Sequence, residues 1–424
     1  MSIILFRTDR GTEGGAQKSL PKGWWIENRL FTEWRLTWYG SGVTFVYIVV
    51  LGSLLLKGLW IIHTDGSIAK SDFGYIWVSG NLAQSSDPTR IFDNSAFSAA
   101  QIALFGPDVW PLIAHFVYPP TFLLFAYPLG LMPYLAGFAV WMVATLALYQ
   151  GAIYAIIRRP VAVILALTPC PVLINFGLGQ NGFLTAGLVG LSLAFTESLP
   201  WLSGIFLGFL TYKPQFGILF PFALLASRNW RAFVSAVATS VVLGVTATIA
   251  FGYQGWVSFI YALFNRQADL GEFPGWHPPL VSIFGFLQSA GASASFSWTV
   301  HLAAASTAAV TICAIWTKPI PHPLKAAALC IGSVMVTPYV LGYDLCILSV
   351  AVAFLVKDAL SRGFLPGERA GMLMCWAGLI FLMAPLITVT ICLVLFFLLA
   401  RRISTFRWCQ TVAKNCEMKG FAGI

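Results

Sequence analysis

An aspartate follows the first long apolar run of the chain, in the stretch AKSDFGYIWVSGNLAQSSDPTRIFD at residues 69–93. A charged side chain at membrane depth costs about 2.5–3.5 kcal/mol on insertion scales, so Asp72 is a candidate functional residue. A positioned carboxylate can accept a proton from a hydroxyl group. A structural interpretation is also open. The acid can cap a helix, and the aromatic residues that follow it, Phe73, Tyr75 and Trp77, suit an amphipathic helix at a membrane surface.

One lysine and two amides interrupt later apolar runs. Lys213 lies in FLTYKPQFGI, where a point charge can hold an anionic group or anchor the chain at the membrane interface. Gln180 and Asn181 lie in NFGLGQNGFL, beside glycines that let the backbone turn sharply. Two such amides can bind sugar hydroxyls, or they can form a plain turn with an asparagine cap.

Two polar segments further along the chain contain the other candidate side chains. Segment 254–295 carries Arg266 and His277. A histidine can act as an acid, a base or a hydrogen-bond donor near neutral pH, although a lone histidine in a proline-rich loop is more often structural. The segment TPYVLGYD ends with Tyr343 and Asp344 at the mouth of an apolar run. The sequence contains no serine–histidine–acid triad, phosphate-binding glycine loop or metal motif, so no cofactor is expected and metal dependence is left open.

The composition identifies the elements that must position these residues. Of the 424 residues, 58% are hydrophobic and 10% are charged, whereas soluble domains carry about 25% charged residues. Uncharged runs of about 20 residues recur between residues 43 and 400, which is enough for helices that cross a bilayer. The sequence therefore predicts an all-α, polytopic transmembrane helical protein.

The net charge of +9 does not indicate nucleic-acid binding, because the basic residues form short clusters between apolar runs, as in cytoplasmic loops. We expect a cytoplasmic N-terminal tail (1–42), a membrane domain (43–400) and a cytoplasmic C-terminal tail (401–424), in the plasma (inner) membrane with membrane lipids as partners. Segment 63–117 is then a large first extracytoplasmic loop that carries surface helices.

The number of spans depends on residues 110–157. Two spans there, 112–132 and 134–157, would return the chain to the outside, yet the basic pair Arg158–Arg159 indicates the inside. The first of the two contains Pro119, Pro120 and Pro128, and Pro133 follows it. Either one segment is broken or re-entrant, which these prolines favour because proline interrupts helices, or the basic pair is an exception to the charge rule. The expected total is about twelve spans.

Four segments, in this order, resemble polyprenol-phosphate-sugar-dependent glycosyltransferases of the GT-C type, most closely glycosyltransferase family 87. They are DFGYIWVSGNLAQSSDPTRIFD, FVYPPTFLLFAYPLGLMP, NFGLGQNGFLTAGLVGLSLAF with the lysine-proline segment that follows it, and TPYVLGYD. The resemblance covers roughly residues 65–350, and the ordered set is more specific than any single segment.

The resemblance implies a GT-C-like fold and the inverting transfer of a hexose, mannose being the best-known sugar of the family. It implies a polyprenyl-phosphate-linked sugar donor and a lipid or glycan acceptor on the extracytoplasmic face. The acid after the first span, here Asp72, corresponds to the general base. Donor-phosphate or substrate binding is expected of the other candidates, which are Tyr118, Gln180, Asn181, Lys213, Arg266, His277, Tyr343 and Asp344.

One departure from the family pattern lies in the last segment, where relatives often have a histidine and this chain has Tyr343 beside Asp344. His277 and Lys213 are then the candidates for donor-phosphate contact. The alternative function is a polytopic membrane transporter or a lipid-linked glycan flippase, because transporters also contain broken helices and midplane charges. The sequence shows no convincing internal repeat and its polar residues gather at one face, and both observations favour the enzyme.

Overall fold

The computed structural model describes residues 30–85, 87–106, 116–269, 280–381 and 384–421. It is 80% helical and has no strand within these ranges, which confirms the all-α fold class. Helices satisfy their backbone hydrogen bonds internally, and this is why long apolar runs adopt them in a bilayer.

The helices follow one another with short connections. In chain order the α-helices are α1 (Glu33–Leu56), α2 (Asp72–Leu82), α3 (Asn94–Phe105), α4 (Leu123–Gly130), α5 (Tyr134–Ile157), α6 (Pro160–Leu165), α7 (Cys170–Leu178), α8 (Gly182–Phe195), α9 (Pro200–Phe209), α10 (Leu219–Ala226), α11 (Trp230–Phe251), α12 (Tyr253–Asp269), α13 (Ile283–Ser289), α14 (Ala294–Thr317), α15 (His322–Val336), α16 (Cys346–Arg362), α17 (Glu368–Gly378) and α18 (Pro385–Phe421). Short 3₁₀-helices lie at Pro88–Phe92, Pro120–Phe122, Leu210–Tyr212, Pro214–Phe216, Gly342–Leu345 and Leu379–Phe381.

Five helices in the described part of the chain are long and apolar enough to cross a membrane, namely α1, α5, α11, α14 and α18. Several of the other predicted spans form shorter helices. In the predicted span 112–132, the described residues form an apolar helical stretch only from Pro120 to Gly130. This stretch is about 16 Å long, roughly half the hydrocarbon thickness of a bilayer. Among the described residues of this region, only α5 is of membrane length, which is compatible with the broken segment expected there.

Basic residues cluster at one end of the helix bundle, which we call the basic end. The guanidinium group of Arg159, just after α5, pairs with Glu33 at the start of α1. The amide of Asn229, before α11, donates to the carbonyl of Thr196, after α8, at 2.9 Å. We call the opposite end, which holds α2 to α4 and the α11–α12 corner, the loop end.

Three hairpins start at the basic end, and their turns meet elements of the loop end: at the first turn, Gln180 donates a hydrogen bond to Asp72 of α2. The first consists of α6 and α7 followed by α8, the second of α9 and α10, and the third of α15 and α16. His322, at the start of α15, makes a 2.7 Å hydrogen bond to the carbonyl of Leu193 near the end of α8, so two hairpins start at one level. Helix α8 has 14 residues, or about 21 Å, whereas α11 has 22 residues, or about 33 Å. Helix α8 is therefore about 12 Å shorter than α11.

Glycine and proline determine where the hairpins turn. Gly179 ends α7 with φ at 70°, in the left-handed region that favours glycine. A Cβ atom at this position would lie 2.6 Å from the Cβ atom of Phe73, so a larger residue does not fit. Pro214 follows Lys213 directly, and Pro338 follows α15. Both residues prevent the preceding helix from continuing.

Helix α2 carries Asp72 at its first position and is enclosed by other helices. Phe73 and Ile76 are fully buried. At Gly80 an added Cβ atom would lie 1.9 Å from the carbonyl oxygen of Ala126, because α2 and α4 meet backbone to backbone. The helix thus packs within the protein, whereas its aromatic residues had suggested a helix with one face in the membrane surface. Aromatic side chains fill a protein core as readily as an interface, and the sequence does not distinguish the two.

Candidate functional site

The turns of the second and third hairpins meet at a buried ion pair. The Nζ atom of Lys213 lies 2.5 Å from Oδ1 of Asp344, and the two residues are 4% and 1% exposed. The other carboxylate oxygen of Asp344 accepts a hydrogen bond from the backbone N–H of Leu341 at 3.2 Å. The ammonium group also lies 5.0 Å from the ring centroid of Tyr343. Both charges are thereby compensated without water from bulk solvent.

Asn181 brings the turn of the first hairpin to the same point. Its side-chain oxygen accepts a hydrogen bond from Lys213 at 2.9 Å. Its side-chain nitrogen donates to the hydroxyl of Tyr118 at 2.6 Å. Asn181 is fully buried, and the two bonds use opposite ends of its amide. One asparagine therefore links all three hairpins to the segment that precedes α4.

Gln180 connects this network to Asp72. Its Nε2 atom donates to Oδ2 of Asp72 at 3.1 Å, and its Oε1 atom accepts from the backbone N–H of Asn181 at 3.3 Å. The second bond fixes which end of the amide faces the carboxylate. We refer to these six side chains as the polar cluster, which comprises Asp72, Tyr118, Gln180, Asn181, Lys213 and Asp344.

Asp72 is the partly exposed carboxylate of the polar cluster. Its burial raises the pKa of the carboxyl group above the ordinary aspartate value, while the hydrogen bond from Gln180 and the positive charge of Lys70 act in the opposite direction. The preceding residue does not cap α2, because the hydroxyl of Ser71 bonds to the hydroxyl of Tyr134 at 2.8 Å. Asp72 is thus a reachable carboxylate with an increased affinity for a proton.

Aromatic rings and the side-chain amide of Asn175 hold the turn of the first hairpin in place. The ring of Tyr118 stacks on Phe122 with centroids 4.3 Å apart, and Phe122 stacks on Tyr212 at 5.5 Å. Asn175, also fully buried, accepts a hydrogen bond from the backbone N–H of Gly182 at 2.7 Å. Rigid packing of this kind keeps donors and acceptors aimed at one point, as chemistry in a site requires.

The structure brings together most of the side chains that the sequence predicted for a site. All six members of the polar cluster were among them, and Tyr343 adjoins the cluster through its ring. Two others are not placed: the side chain of Arg266 and the whole of His277 lie outside the described residues. The functional assignment of every one of these residues stays a prediction.

Two further residues belong to this region although the sequence analysis did not single them out. Lys70 stands two positions before Asp72, and its charge acts on that carboxylate. Asn175 lies within an apolar run. Burying an amide group there is costly, and this cost is the feature by which the sequence could have indicated the residue. Within the described ranges, no group of three or more His, Cys, Asp or Glu side chains could hold a metal ion.

Fold and site together define an α-helical membrane protein in which a partly exposed aspartate is linked through two amides to a buried ammonium group. The family model of glycosyltransferase family 87 matches residues 116–338, more than half of the chain. The chain therefore belongs to glycosyltransferase family 87 and is a glycosyltransferase. This confirms the resemblance found in the sequence and removes the support for a transporter or flippase. No curated protein and no solved structure matches the chain. Asp72 and Asp344 lie outside the matched residues.

The ion pair predicts a specific pattern of stability. Lys213→Met leaves the carboxylate of Asp344 buried without its partner, and we expect the free energy of unfolding to fall by about 3–5 kcal/mol. The double variant Lys213→Met with Asp344→Leu removes both charges and should recover most of this loss. Thermal unfolding of the purified protein in nanodiscs measures both changes. Equal destabilisation by the single and double variants would contradict a compensated pair.

Proposed function

We propose that the protein transfers a hexose, with mannose as the first candidate, from a polyprenyl-phosphate-linked donor to a lipid or glycan acceptor at the extracytoplasmic face. Transfer proceeds with inversion, and Asp72 is the general base. The observation that carries the proposal is the position of Asp72, a reachable carboxylate oriented by Gln180 at a point where three hairpins of a family 87 glycosyltransferase meet.

The proposed reaction is a single displacement. The acceptor hydroxyl oxygen forms a bond to the anomeric carbon, while the bond from that carbon to the phosphate oxygen breaks and its electron pair leaves with the lipid phosphate. The hydroxyl proton passes to the carboxylate of Asp72. A negative charge near the anomeric carbon also stabilises the oxocarbenium-like transition state of glycosyl transfer.

The polar cluster supports a site for the leaving phosphate beside Asp72. A lysine ammonium group has three N–H donors. Lys213 uses two of them for Asn181 and Asp344, and we propose that the third donates to a donor phosphate oxygen. The hydroxyl of Tyr118, next to Asn181, is a second donor for the same group. Asp344 already compensates the charge of Lys213. The proposed site therefore recognises the phosphate through the geometry of its hydrogen bonds as well as through charge.

The same proposal includes the orientation of the chain. Basic loops favour the cytoplasmic side, and the basic end of the bundle collects them. We infer that this end is cytoplasmic in the plasma membrane, with both termini inside and the loop end extracytoplasmic. The helices run alternately between the two ends, with α6 and α7 acting as one pass. This alternation is compatible with about twelve passes in a GT-C-like arrangement.

Removing the proposed base should stop transfer without unfolding the protein. For Asp72→Asn, which keeps size and shape, we expect the turnover number to fall by about 10²–10⁴-fold, the usual range for loss of general-base catalysis. Hexose transfer from a polyprenyl-phosphate sugar in nanodiscs is the assay. Asp65→Asn is the matched control, since Asp65 is an exposed loop acid. Near-normal turnover by correctly folded Asp72→Asn would sink the assignment.

The pH profile tests whether Gln180 tunes Asp72. A base acts only when ionised, so its raised pKa places the acidic limb of kcat/KM above that of an ordinary aspartate. The hydrogen bond from Gln180 lowers the pKa of Asp72, so Gln180→Leu should move the acidic limb to still higher pH. Glycosyl transfer measured from about pH 4, near the ordinary carboxyl range, to about pH 9 shows the shift. A reduced rate with an unmoved limb would indicate a structural role alone.

Donor binding tests the proposed role of Lys213. The double variant Lys213→Met with Asp344→Leu keeps the interior uncharged while it removes the ammonium donor, so its affinity for a polyprenyl-phosphate sugar should fall about tenfold or more. Lys57→Met is the control, because Lys57 is an exposed lysine at the end of α1. Unaltered donor affinity in the folded double variant would leave Lys213 with a purely architectural role.

A further inference from the structure

A second region of the loop end has the features of a binding site. A cavity of about 1200 Å³ lies between the segment after α2, helix α4 and the corner between α11 and α12. Its volume is comparable to the clefts that hold small ligands in other proteins, which are about 300–1,000 Å³. None of the side chains that line it belongs to the polar cluster.

The lining of this cavity favours a neutral, hydroxyl-rich ligand. Gln84, Asp87 and Thr89 supply polar groups on one wall, and Gln254 and Ser258 supply them on the other. Among the described residues that line it there is no lysine or arginine. Among these described lining residues, a phosphate group would meet the carboxylate of Asp87 and no compensating cation. Amides and hydroxyls, in contrast, can both donate hydrogen bonds to sugar hydroxyls and accept hydrogen bonds from them, and a carboxylate can accept them.

Aromatic rings add apolar faces to this polar lining. Tyr127, on α4, and Tyr253, at the start of α12, both border the cavity. Tyr127 is 37% exposed, and its ring centroid lies 6.1 Å from that of Phe251. The ring therefore packs against another aromatic residue of the lining while part of it stays accessible. Amphipathic rings of this kind offer one flat apolar surface and one hydroxyl group.

Hydrogen bonds hold the walls of the cavity in a defined shape. One carboxylate oxygen of Asp87 accepts hydrogen bonds from the backbone N–H of Thr89 at 3.0 Å and from its hydroxyl at 2.5 Å. On the facing wall the chain turns at Gly252, whose φ of 77° favours glycine. A preformed cleft spends less binding free energy on ordering its own side chains.

The cavity lies too far from Asp72 to contain the reacting hydroxyl. Asp72 is the first residue of α2, and the lining begins just after the last residue of that helix. The length of α2 separates them by about 16 Å. A ligand that occupied both places would have to extend over this distance, which a single hexose does not.

We propose that this cavity binds sugar units of the acceptor that are remote from the hydroxyl that reacts. The proposal rests on the proposed glycosyl transfer and makes the acceptor an oligosaccharide-bearing molecule. Binding energy from remote units then positions the reacting hydroxyl near Asp72. The donor phosphate stays with the polar cluster, and the two substrates are recognised by chemically different sites.

Direct binding of soluble oligosaccharides tests the cavity without depending on catalysis. The probes are linear mannose and glucose oligosaccharides of one to five units, added to the full-length protein in nanodiscs and followed by saturation-transfer NMR. We expect affinity to rise with chain length, and Gln254→Leu and Tyr127→Leu each to weaken binding about tenfold. Gln410→Leu, an exposed glutamine near the basic end, is the matched control, and Asp72→Asn should bind as the unchanged protein does.

Each result of this experiment bears on the proposal. Absence of oligosaccharide binding, or equal binding by Gln254→Leu and the unchanged protein, overturns it. Displacement of the oligosaccharides by undecaprenyl phosphate alone would also overturn it, because the cavity would then hold a lipid phosphate. Length-dependent binding that the cavity variants weaken supports the cavity even if no hexose transfer is detected, and in that case only the proposed reaction fails.

Discussion

The mutual charge compensation of Lys213 and Asp344 is the physical constraint around which the polar cluster is arranged. Neither charge is stable alone in a protein interior, because removal from water costs several kcal/mol for each ion. Each therefore requires the other, and Asn181 supplies the additional hydrogen bond. The requirement forces the turns of the second and third hairpins to one point, and the amides of the first hairpin join them there. Asp72 gains its orientation at the edge of this network.

The helices were predictable from the sequence, but their lengths were not. Long apolar runs favour helices in a bilayer whatever their neighbours are, so α5 occurs at the expected bounds, 134–157. Hydropathy does not indicate how deep a short run reaches, however. Residues 182–195, for example, form a helix of only 14 residues, which begins at the turn of the first hairpin and ends at the basic end. The proline-rich segment before α5 is also too short to cross a bilayer as a helix, because prolines limit the length of its helical stretch.

The members of the site were predictable for a different reason. A charged or amide side chain within an apolar run is costly, so its presence marks a position that requires a partner. This identified Lys213 and Asn181. It did not identify the partners, because Asp344 is 131 residues away from Lys213 in the chain and Asp72 is 108 residues away from Gln180. Lys213 was interpreted as a phosphate ligand or an interfacial anchor, and pairing with an internal acid was not among the alternatives.

The separation of the pair along the chain has a consequence for biosynthesis. Lys213 leaves the ribosome 131 residues before Asp344 does. Until α16 has been made, the turn between α9 and α10 would carry an unpaired ammonium group to membrane depth, at a cost of about 2.5–3.5 kcal/mol on insertion scales. The membrane-length helices can insert as they emerge, whereas we expect this short hairpin to reach its final position only after the third hairpin has been made. We therefore expect the polar cluster to be complete only late in the maturation of the protein, although most of its residues are synthesised early.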